Sequence, residues 1–153
     1  MAVLESLPGL TVSIHVDGQP LPEYEDHTEE ETPDGPVAEC QAARTVCRYV
    51  EALSDKDFCI NMSLDAPYIM DCPSLMFPCW VDGNPAPARV LKKTHHLDRI
   101  QGDLVVYPLQ MIVDGVTVEA PGRSDQEFLK KFRFAKIEMC MFFVKTTWCF
   151  LIY

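Results

Sequence analysis

Alternation of apolar and polar residues is the main signal along this chain. Three short segments place an apolar residue at every second position, and a fourth segment, residues 43–52, does so less regularly. The apolar positions are Leu10, Val12, Ile14 and Val16, then Val46, Val50 and Ala52, then Phe58, Ile60, Met62 and Leu64, and finally Leu75, Phe77, Cys79 and Val81. A period of two puts alternate side chains on one face of a β-strand, so each segment predicts a strand with one buried face.

Tight-turn sequences separate several of these segments. The tripeptide Val-Asp-Gly occurs three times after an apolar run, at residues 16–18, 81–83 and 113–115. Asp-Gly tolerates the positive φ angles that tight hairpin turns require. The clearest predicted hairpin joins residues 104–113 to residues 116–120 through the third of these turns.

Helix signals are weak. Ser124 and Glu127 have capping-box spacing, which predicts at most a turn of helix after Ser124, and a strand then follows at residues 130–137. A further strand is predicted at residues 88–91. Strands at short intervals with frequent Gly and Pro turns predict an all-β fold, an antiparallel two-sheet β-sandwich with little or no helix. An open barrel is the structural alternative.

Two segments depart from this pattern. Residues 23–34 contain seven acidic residues and run into a Pro-Asp-Gly-Pro sequence, so residues 23–36 are predicted to form a mobile acidic loop inserted in the domain. Residues 139–153 are almost wholly apolar, yet shorter than the ~20 residues that a membrane-spanning helix needs. This tail either forms a final hairpin with its turn near Thr146 and Thr147, or does not belong to the fold. The predicted domain is therefore residues 1–138.

The charge balance narrows the class of partner. The 153-residue chain has a formal net charge of −10, whereas nucleic-acid binders need cations that displace counterions from phosphates. No nucleic acid is expected as a partner, and no membrane unless the apolar tail is exposed. The acidic residues 23–34 either attract a basic protein surface or form a spacer that keeps the domain soluble. The first residues lack the features of a secretory signal, so an intracellular location, in the cytoplasm or nucleus, is expected.

Candidate catalytic chemistry is confined to one cluster. His95 and His96 are adjacent and Asp98 follows closely. Adjacent residues on a strand point to opposite faces, so a solvated loop is favoured here over a metal or acid–base site. His15 and His27 are isolated in the sequence. No catalytic, cofactor-binding or metal-binding residue is assigned, and no cofactor is expected.

The cysteines and one basic stretch have ordinary explanations. None of the seven cysteines has C-x-x-C spacing, and neither Cys59 nor Cys79 has a neighbouring histidine in the sequence, so packing is favoured over nucleophilic chemistry. Residues 128–136 interleave phenylalanines with cations, a pattern that can bind single-stranded nucleic acid. We expect these phenylalanines to face the core and the cations to face water.

Several segments together resemble a known family. They are residues 4–10 (Leu-Glu-Ser-Leu-Pro-Gly-Leu), 11–24, 45–52, 80–83 (Trp-Val-Asp-Gly) and 131–137 (Lys-Phe-Arg-Phe-Ala-Lys-Ile). In that order they resemble a fungal family of uncharacterised proteins, classed as a domain of unknown function, over about residues 1–138. The resemblance implies a fungal source and a β-rich domain, and it implies no activity, cofactor or site residue.

The chain departs from the family pattern in two places. Pro78 lies in the middle of a predicted strand, where it removes a ladder hydrogen bond, so that strand is expected at an edge or with a bulge. Family members continue after the Phe-Arg-Phe-Ala element with polar, charged sequence, whereas residues 139–153 are apolar. We therefore expect this tail to be a gene-model artefact, such as a retained intron.

Taken together, these features predict a non-enzymatic protein-interaction module that offers sheet faces, an edge strand and an acidic loop to a protein partner. The alternative is a small-ligand binder or enzyme that uses a concave sheet face, with His95, His96 or Asp98 near its mouth. A structural part in a larger assembly is the third hypothesis.

Overall fold

The structure, a computed structural model, describes residues 2–3, 7–25, 35, 45–120, 123–135 and 143–149. These residues form fourteen strands and one short helix, α1 (Lys93–His96). The strands are β1 (Ala2–Val3), β2 (Leu10–Val16), β3 (Gln19–Pro20), β4 (Glu23–Glu25), β5 (Thr45–Glu51), β6 (Asp57–Leu64), β7 (Ser74–Val81), β8 (Asn84–Lys92), β9 (Leu97–Ile100), β10 (Asp103–Val106), β11 (Leu109–Val113), β12 (Gly115–Ala120), β13 (Arg123–Arg133) and β14 (Phe143–Cys149). The predicted all-β fold with little helix is confirmed.

The strand pairs among the described residues are antiparallel and form four sheets. The largest has the order β1-β2-β6-β13-β12, with β3 added to β2 and β11 added to β6. A second sheet has the order β14-β5-β4, and β7–β8 and β9–β10 are two-stranded. Inward side chains from β2, β5, β6, β7, β8 and β11 form one hydrophobic core, which is compatible with the predicted sandwich.

Strand β6 is the centre of the largest sheet because three strands share its length. β2 and β11 flank its later residues, and β13 pairs only with its first two. The apolar row predicted for this segment faces the core, where Ile60 is 2% exposed and Leu64 is fully buried. Burying a side chain of this kind stabilises a fold by roughly 1.5–3 kcal/mol. The buried row of β6 therefore contributes much of the free energy that holds this strand against the core.

Two of the three Val-Asp-Gly sequences form the predicted hairpin turns. Between β2 and β3, Asp17 and Gly18 have φ angles of 51° and 78°. Between β7 and β8, Asp82 and Gly83 have φ angles of 52° and 74°. Positive φ at both central positions is the signature of the type I′ turn, whose twist matches that of a hairpin.

The third Val-Asp-Gly sequence is not a hairpin turn, so that prediction is wrong. β11 pairs with β6, whereas β12 pairs with β13, so residues 113–115 cross from one strand to another. Gly115 has no positive φ, but a Cβ atom there would overlap the backbone of Lys130 and Lys131. The glycine is therefore required by close strand packing at this crossover.

The predicted long strand over residues 104–113 is also divided. Pro108 separates β10 from β11, because proline has no N–H to donate to a strand ladder. The tight turn in this region instead lies at Gln101 and Gly102, with φ angles of 54° and 96°, and it joins β9 to β10. This hairpin was not predicted from the sequence.

Two expectations about residue conformation have clear outcomes. The ladder between β7 and β8 shifts register between Phe77 and Cys79, so the bulge expected at Pro78 is confirmed. No helix begins after Ser124, because β13 continues as a strand from Arg123 to Arg133. The strand predicted at residues 130–137 therefore begins earlier and ends earlier.

The predicted acidic loop and tail are described only in part. The first three residues of the predicted loop form β4, which pairs with β5, so a loop beginning at Glu23 is wrong there. Glu25 remains at the surface, and its carboxylate lies 3.5 Å from the guanidinium of Arg48. An acidic residue can occupy this strand because its charge stays in contact with water and beside a cation. In the tail, β14 pairs with β5 straight through Thr146 and Thr147, so a hairpin turn at these threonines is wrong. Residues 26–34 and 36 of the predicted loop, and residues 139–142 and 150–153 of the tail, lie outside the described residues.

Candidate functional site

The predicted cluster of His95, His96 and Asp98 does not converge. His96 is fully buried, so its interpretation as part of a solvated loop is wrong. His95 and Asp98 are exposed, and the Asp98 carboxylate accepts a hydrogen bond from the N–H of Arg99 at 2.7 Å. No hydrogen bond among the described residues joins the three side chains.

His96 instead links two connecting segments. Its Nδ1 lies 2.8 Å from the carbonyl oxygen of Tyr107, and its Nε2 lies 3.1 Å from that of Tyr68. A neutral imidazole has one N–H and can donate to only one of these carbonyls, whereas the imidazolium ion donates to both. The N–H of Tyr107 also donates to the His96 carbonyl at 2.7 Å. His96 thus joins the β6–β7 connection to the β10–β11 connection, which is a structural role.

A second polar cluster lies on the sheet face opposite the core. His15 Nε2 is 3.0 Å from Ser13 Oγ and 3.2 Å from Asn61 Nδ2. Asn61 is 9% exposed, and its Oδ1 has no hydrogen-bond partner among the described residues. Sequence reasoning treated His15 as isolated, because only the pairing of β2 with β6 brings Asn61 beside it. The signal for this cluster in the sequence was that polar residues occupy alternate positions in both strands.

The thiols of Cys59 and Cys79 are poor nucleophiles. Cys59 lies directly opposite His15 in the β2–β6 register. Burial, and secondarily the charge of Asp114, raise the pKa of the Cys59 thiol. Burial raises the pKa of Cys79 to about 11. Because the thiolate is the reactive form, both shifts favour packing over covalent chemistry.

The basic stretch around β13 behaves as predicted at two of its three phenylalanines. Phe132 and Phe134 are buried and stack on Phe58, with ring centroids 5.5 and 4.6 Å apart. Phe128 is 48% exposed, so its predicted burial is wrong. Arg133 donates to Asp57 at 2.6 Å and, through this hydrogen bond, holds the pKa of that carboxyl below its usual value.

An exposed apolar surface on paired strands lies on the outward side of the β7–β8 hairpin. Because Leu75, Phe77 and Cys79 point into the core, their neighbours Met76 and Trp80 point outward. Met76 is 44% exposed and Trp80 is 56% exposed.

The partner strand continues this surface. Val90, which is 58% exposed, lies opposite Met76, and the exposed Pro85 lies opposite Trp80. We call Met76, Trp80, Pro85 and Val90 the hairpin face. The type I′ turn at Asp82 and Gly83 places Trp80 near the tip of the hairpin, where a large side chain is accessible from several directions. The sequence predicted the row of buried residues on β7. The residues at the alternate positions of that strand face outward.

Within the described ranges, no group of three or more His, Cys, Asp or Glu side chains is arranged to hold a metal ion. A helix long and apolar enough to cross a membrane is likewise absent from that part of the chain.

Comparison with known proteins identifies the family of this chain. No curated protein and no solved structure matches it. The model of one family, described as a domain of unknown function (DUF7918), matches residues 9–142. The match includes the central strands β2 and β6, the hairpin face and β13, and it covers most of the chain. The chain therefore belongs to the DUF7918 family.

Proposed function

We propose that this domain is a non-enzymatic protein-interaction module that binds a basic protein surface through the hairpin face. The observation that carries the proposal is the exposure of Trp80, at 56%, beside Met76 and Val90 on one side of a two-stranded hairpin. Clustered exposed apolar side chains on a protein surface are typical of interaction sites.

Trp80 is suited to act as the anchor of such an interface. A tryptophan side chain buries roughly 150–250 Å² when it is covered and retains an N–H donor for a partner acceptor. Tryptophan is also among the residue types enriched where alanine substitution costs most binding energy. Met76 adds a flexible apolar surface that adapts to the shape of a partner.

The charge of the chain indicates the chemistry of the partner. The net charge is −10, and seven of the acidic residues lie within residues 23–34. A field of this sign attracts a basic protein and raises its association rate at low ionic strength. Locally, Asp82 is exposed at the hairpin tip, and Arg89 is turned toward β11, where it donates to the Ile112 carbonyl at 3.0 Å. A partner with an apolar pocket surrounded by lysine or arginine would match this surface.

The experiment compares two single variants that each remove an apolar side chain about half exposed to solvent. Trp80→Ala removes the anchor, whereas Ile100→Ala removes a side chain that is 49% exposed on the separate β9–β10 hairpin. Proteins captured from a lysate of the source organism are quantified by mass spectrometry for wild type and both variants. A captured protein that is basic, depends on Trp80 and is insensitive to Ile100 is then purified and titrated by calorimetry. We expect Trp80→Ala to weaken this binding at least about tenfold.

The outcome that contradicts the proposal is equal capture by the two variants, or a Trp80-dependent partner that is acidic. A second variant, with Glu29, Glu30 and Glu31 each changed to Gln, tests the electrostatic part. We expect its association rate with the purified partner to be lower and to vary less with salt than that of the wild type.

A further inference from the structure

Strand β13 exposes five consecutive residues. Residues 127–131 are all exposed, although successive side chains of a strand point to opposite faces. Phe128 and Leu129, which lie on opposite faces, are 48% and 50% exposed. Neither face of this part of β13 is therefore covered by the described residues.

One backbone edge of the same segment also has no described partner strand. β12 pairs with β13 along residues 123–131, whereas β6 pairs with β13 only at Phe132 and Arg133. The ammonium groups of Lys130 and Lys131 make no ion pair or hydrogen bond with a described residue. An edge strand with unpaired N–H and C=O groups is a template on which another strand can add.

The sequence of this edge is self-complementary in one register. Two identical antiparallel strands are related by a two-fold axis perpendicular to their sheet, so directly opposite residues face the same side of the sheet. If the axis lies at Leu129, then Leu129 lies directly opposite Leu129 of the second copy, and Glu127 lies directly opposite Lys131 of the second copy. An axis at Phe128 instead places Glu127 opposite Leu129 of the copy. An axis at Lys130 places Lys130 opposite its own copy. Opposite charges directly across two strands stabilise the pair, and like charges destabilise it.

We propose that two copies of this chain pair antiparallel through the β13 edge, about a two-fold axis at Leu129. Phe128 and Lys130 then lie opposite each other on the second face of the shared sheet, where the ammonium can rest against the aromatic ring. This interface is separate from the hairpin face and does not depend on the function proposed above. It explains why an apolar pair and two unpaired lysines are exposed on one strand.

The dimer is expected to be weak. Five residues per copy give an interface at the small end of the range for specific complexes. The net charge of −10 on each chain opposes association, but that repulsion is screened beyond about 8 Å at physiological ionic strength. We expect the dimer to form at concentrations on the order of 10–100 µM.

Charge reversal and its rescue provide the first test. Sedimentation velocity is measured on wild type, Glu127→Lys, Lys131→Glu and the double variant, from about 1 µM to about 1 mM at 0.15 M salt. We expect each single variant to weaken the dimer about five- to tenfold, because symmetry places the like-charge pair at two positions, and we expect the double variant to restore it. Asp103→Lys, at an exposed position on β10, is the control that changes net charge as Glu127→Lys does.

Cross-linking provides the second test and reports the register. Leu129→Cys places two thiols at the axis, where directly opposite Cα atoms lie about 4.5–5.5 Å apart, within the range of a disulfide. Phe128→Cys places its thiols one residue away from the axis on each strand and serves as the matched control. We expect an oxidised dimer from Leu129→Cys in excess over both Phe128→Cys and wild type. A wild type that stays monomeric up to 1 mM, a double variant no better than the single variants, or equal cross-linking of the two cysteine variants would overturn the proposal.

Discussion

At the scale of single residues, His96 is the clearest case of a polar side chain with a structural role. Its ring is fully buried, and both of its nitrogens face backbone carbonyl oxygens. We expect His96→Ala to lower the free energy of unfolding by about 2–5 kcal/mol, because the change opens a cavity and removes the ring N–H that donates to a backbone carbonyl. Urea unfolding followed by tryptophan fluorescence measures the loss.

The neighbouring histidine supplies the control for this prediction. His95 is exposed, so His95→Ala should change the free energy of unfolding by no more than about 0.5 kcal/mol. His96→Gln, which can still donate to one carbonyl, should lose less stability than His96→Ala. Equal losses for His95→Ala and His96→Ala would show that the two carbonyl contacts of His96 do not stabilise the fold.

The residue scale is also where sequence reasoning was weakest. The adjacent pair of histidines could be read from the sequence, but the inward orientation of His96 follows from the short helix α1 and from carbonyls 28 and 11 residues away. The same holds for Asn61 and His15, which are 46 residues apart. Local alternation gives the face of a strand on which a residue lies, but it does not give the partner strand at such separations, so neither cluster could be predicted.

At the scale of elements, Gly9 shows how a loop is held against another loop. Gly9 has a φ of 93°, and its carbonyl accepts a hydrogen bond from the N–H of Asp65 at 2.8 Å. A Cβ atom at this position would overlap the Asp65 carbonyl oxygen and lie 2.8 Å from the Tyr68 nitrogen. Gly102 has nearly the same φ, 96°, but open space around it. Substitutions at the two positions can therefore be compared to distinguish the cost of steric overlap, which arises only at Gly9, from the cost of a positive φ, which arises at both.

We expect Gly9→Ala to destabilise the domain by about 1–3 kcal/mol more than Gly102→Ala does. Both alanines meet the same unfavourable positive φ and the same loss of unfolded-state freedom, so these effects cancel in the difference. The midpoints of thermal unfolding of the two variants, compared with wild type, provide the measurement. Indistinguishable midpoints would mean that the chain around Gly9 relaxes at little cost.

Elements were predictable where their cause is local. The alternating rows of β2, β6 and β7 point inward as predicted, and the turns at Asp17 and Asp82 join neighbouring strands. The same tripeptide at Asp114 failed as a turn signal because β11 and β12 pair with strands far away in sequence. Asp-Gly permits a tight hairpin, but which strands pair is decided by the core that they bury together.

At the scale of the whole molecule, the excess of acidic over basic residues affects the stability of the fold more than individual ion pairs do. The chain has 23 acidic and 13 basic residues, not counting histidine. Lys56–Asp17 and Arg133–Asp57 have largely exposed side chains, and the third described pair joins Arg48 to Glu25. Exposed surface pairs of this kind contribute little to stability and are weakened by salt. Repulsion among the remaining carboxylates acts in the opposite direction, because it destabilises the compact state and is also screened by salt.

We therefore expect the domain to become more stable as sodium chloride rises from about 10 mM to about 150 mM, where the screening length falls from about 30 Å to about 8 Å. Thermal unfolding at about 1 µM protein keeps self-association out of the measurement, since the proposed dimer needs higher concentrations. The variant with Glu29, Glu30 and Glu31 changed to Gln removes three of the negative charges, so its unfolding temperature should respond less to salt. A fall in the wild-type unfolding temperature over this range would mean that the surface ion pairs outweigh the repulsion among carboxylates.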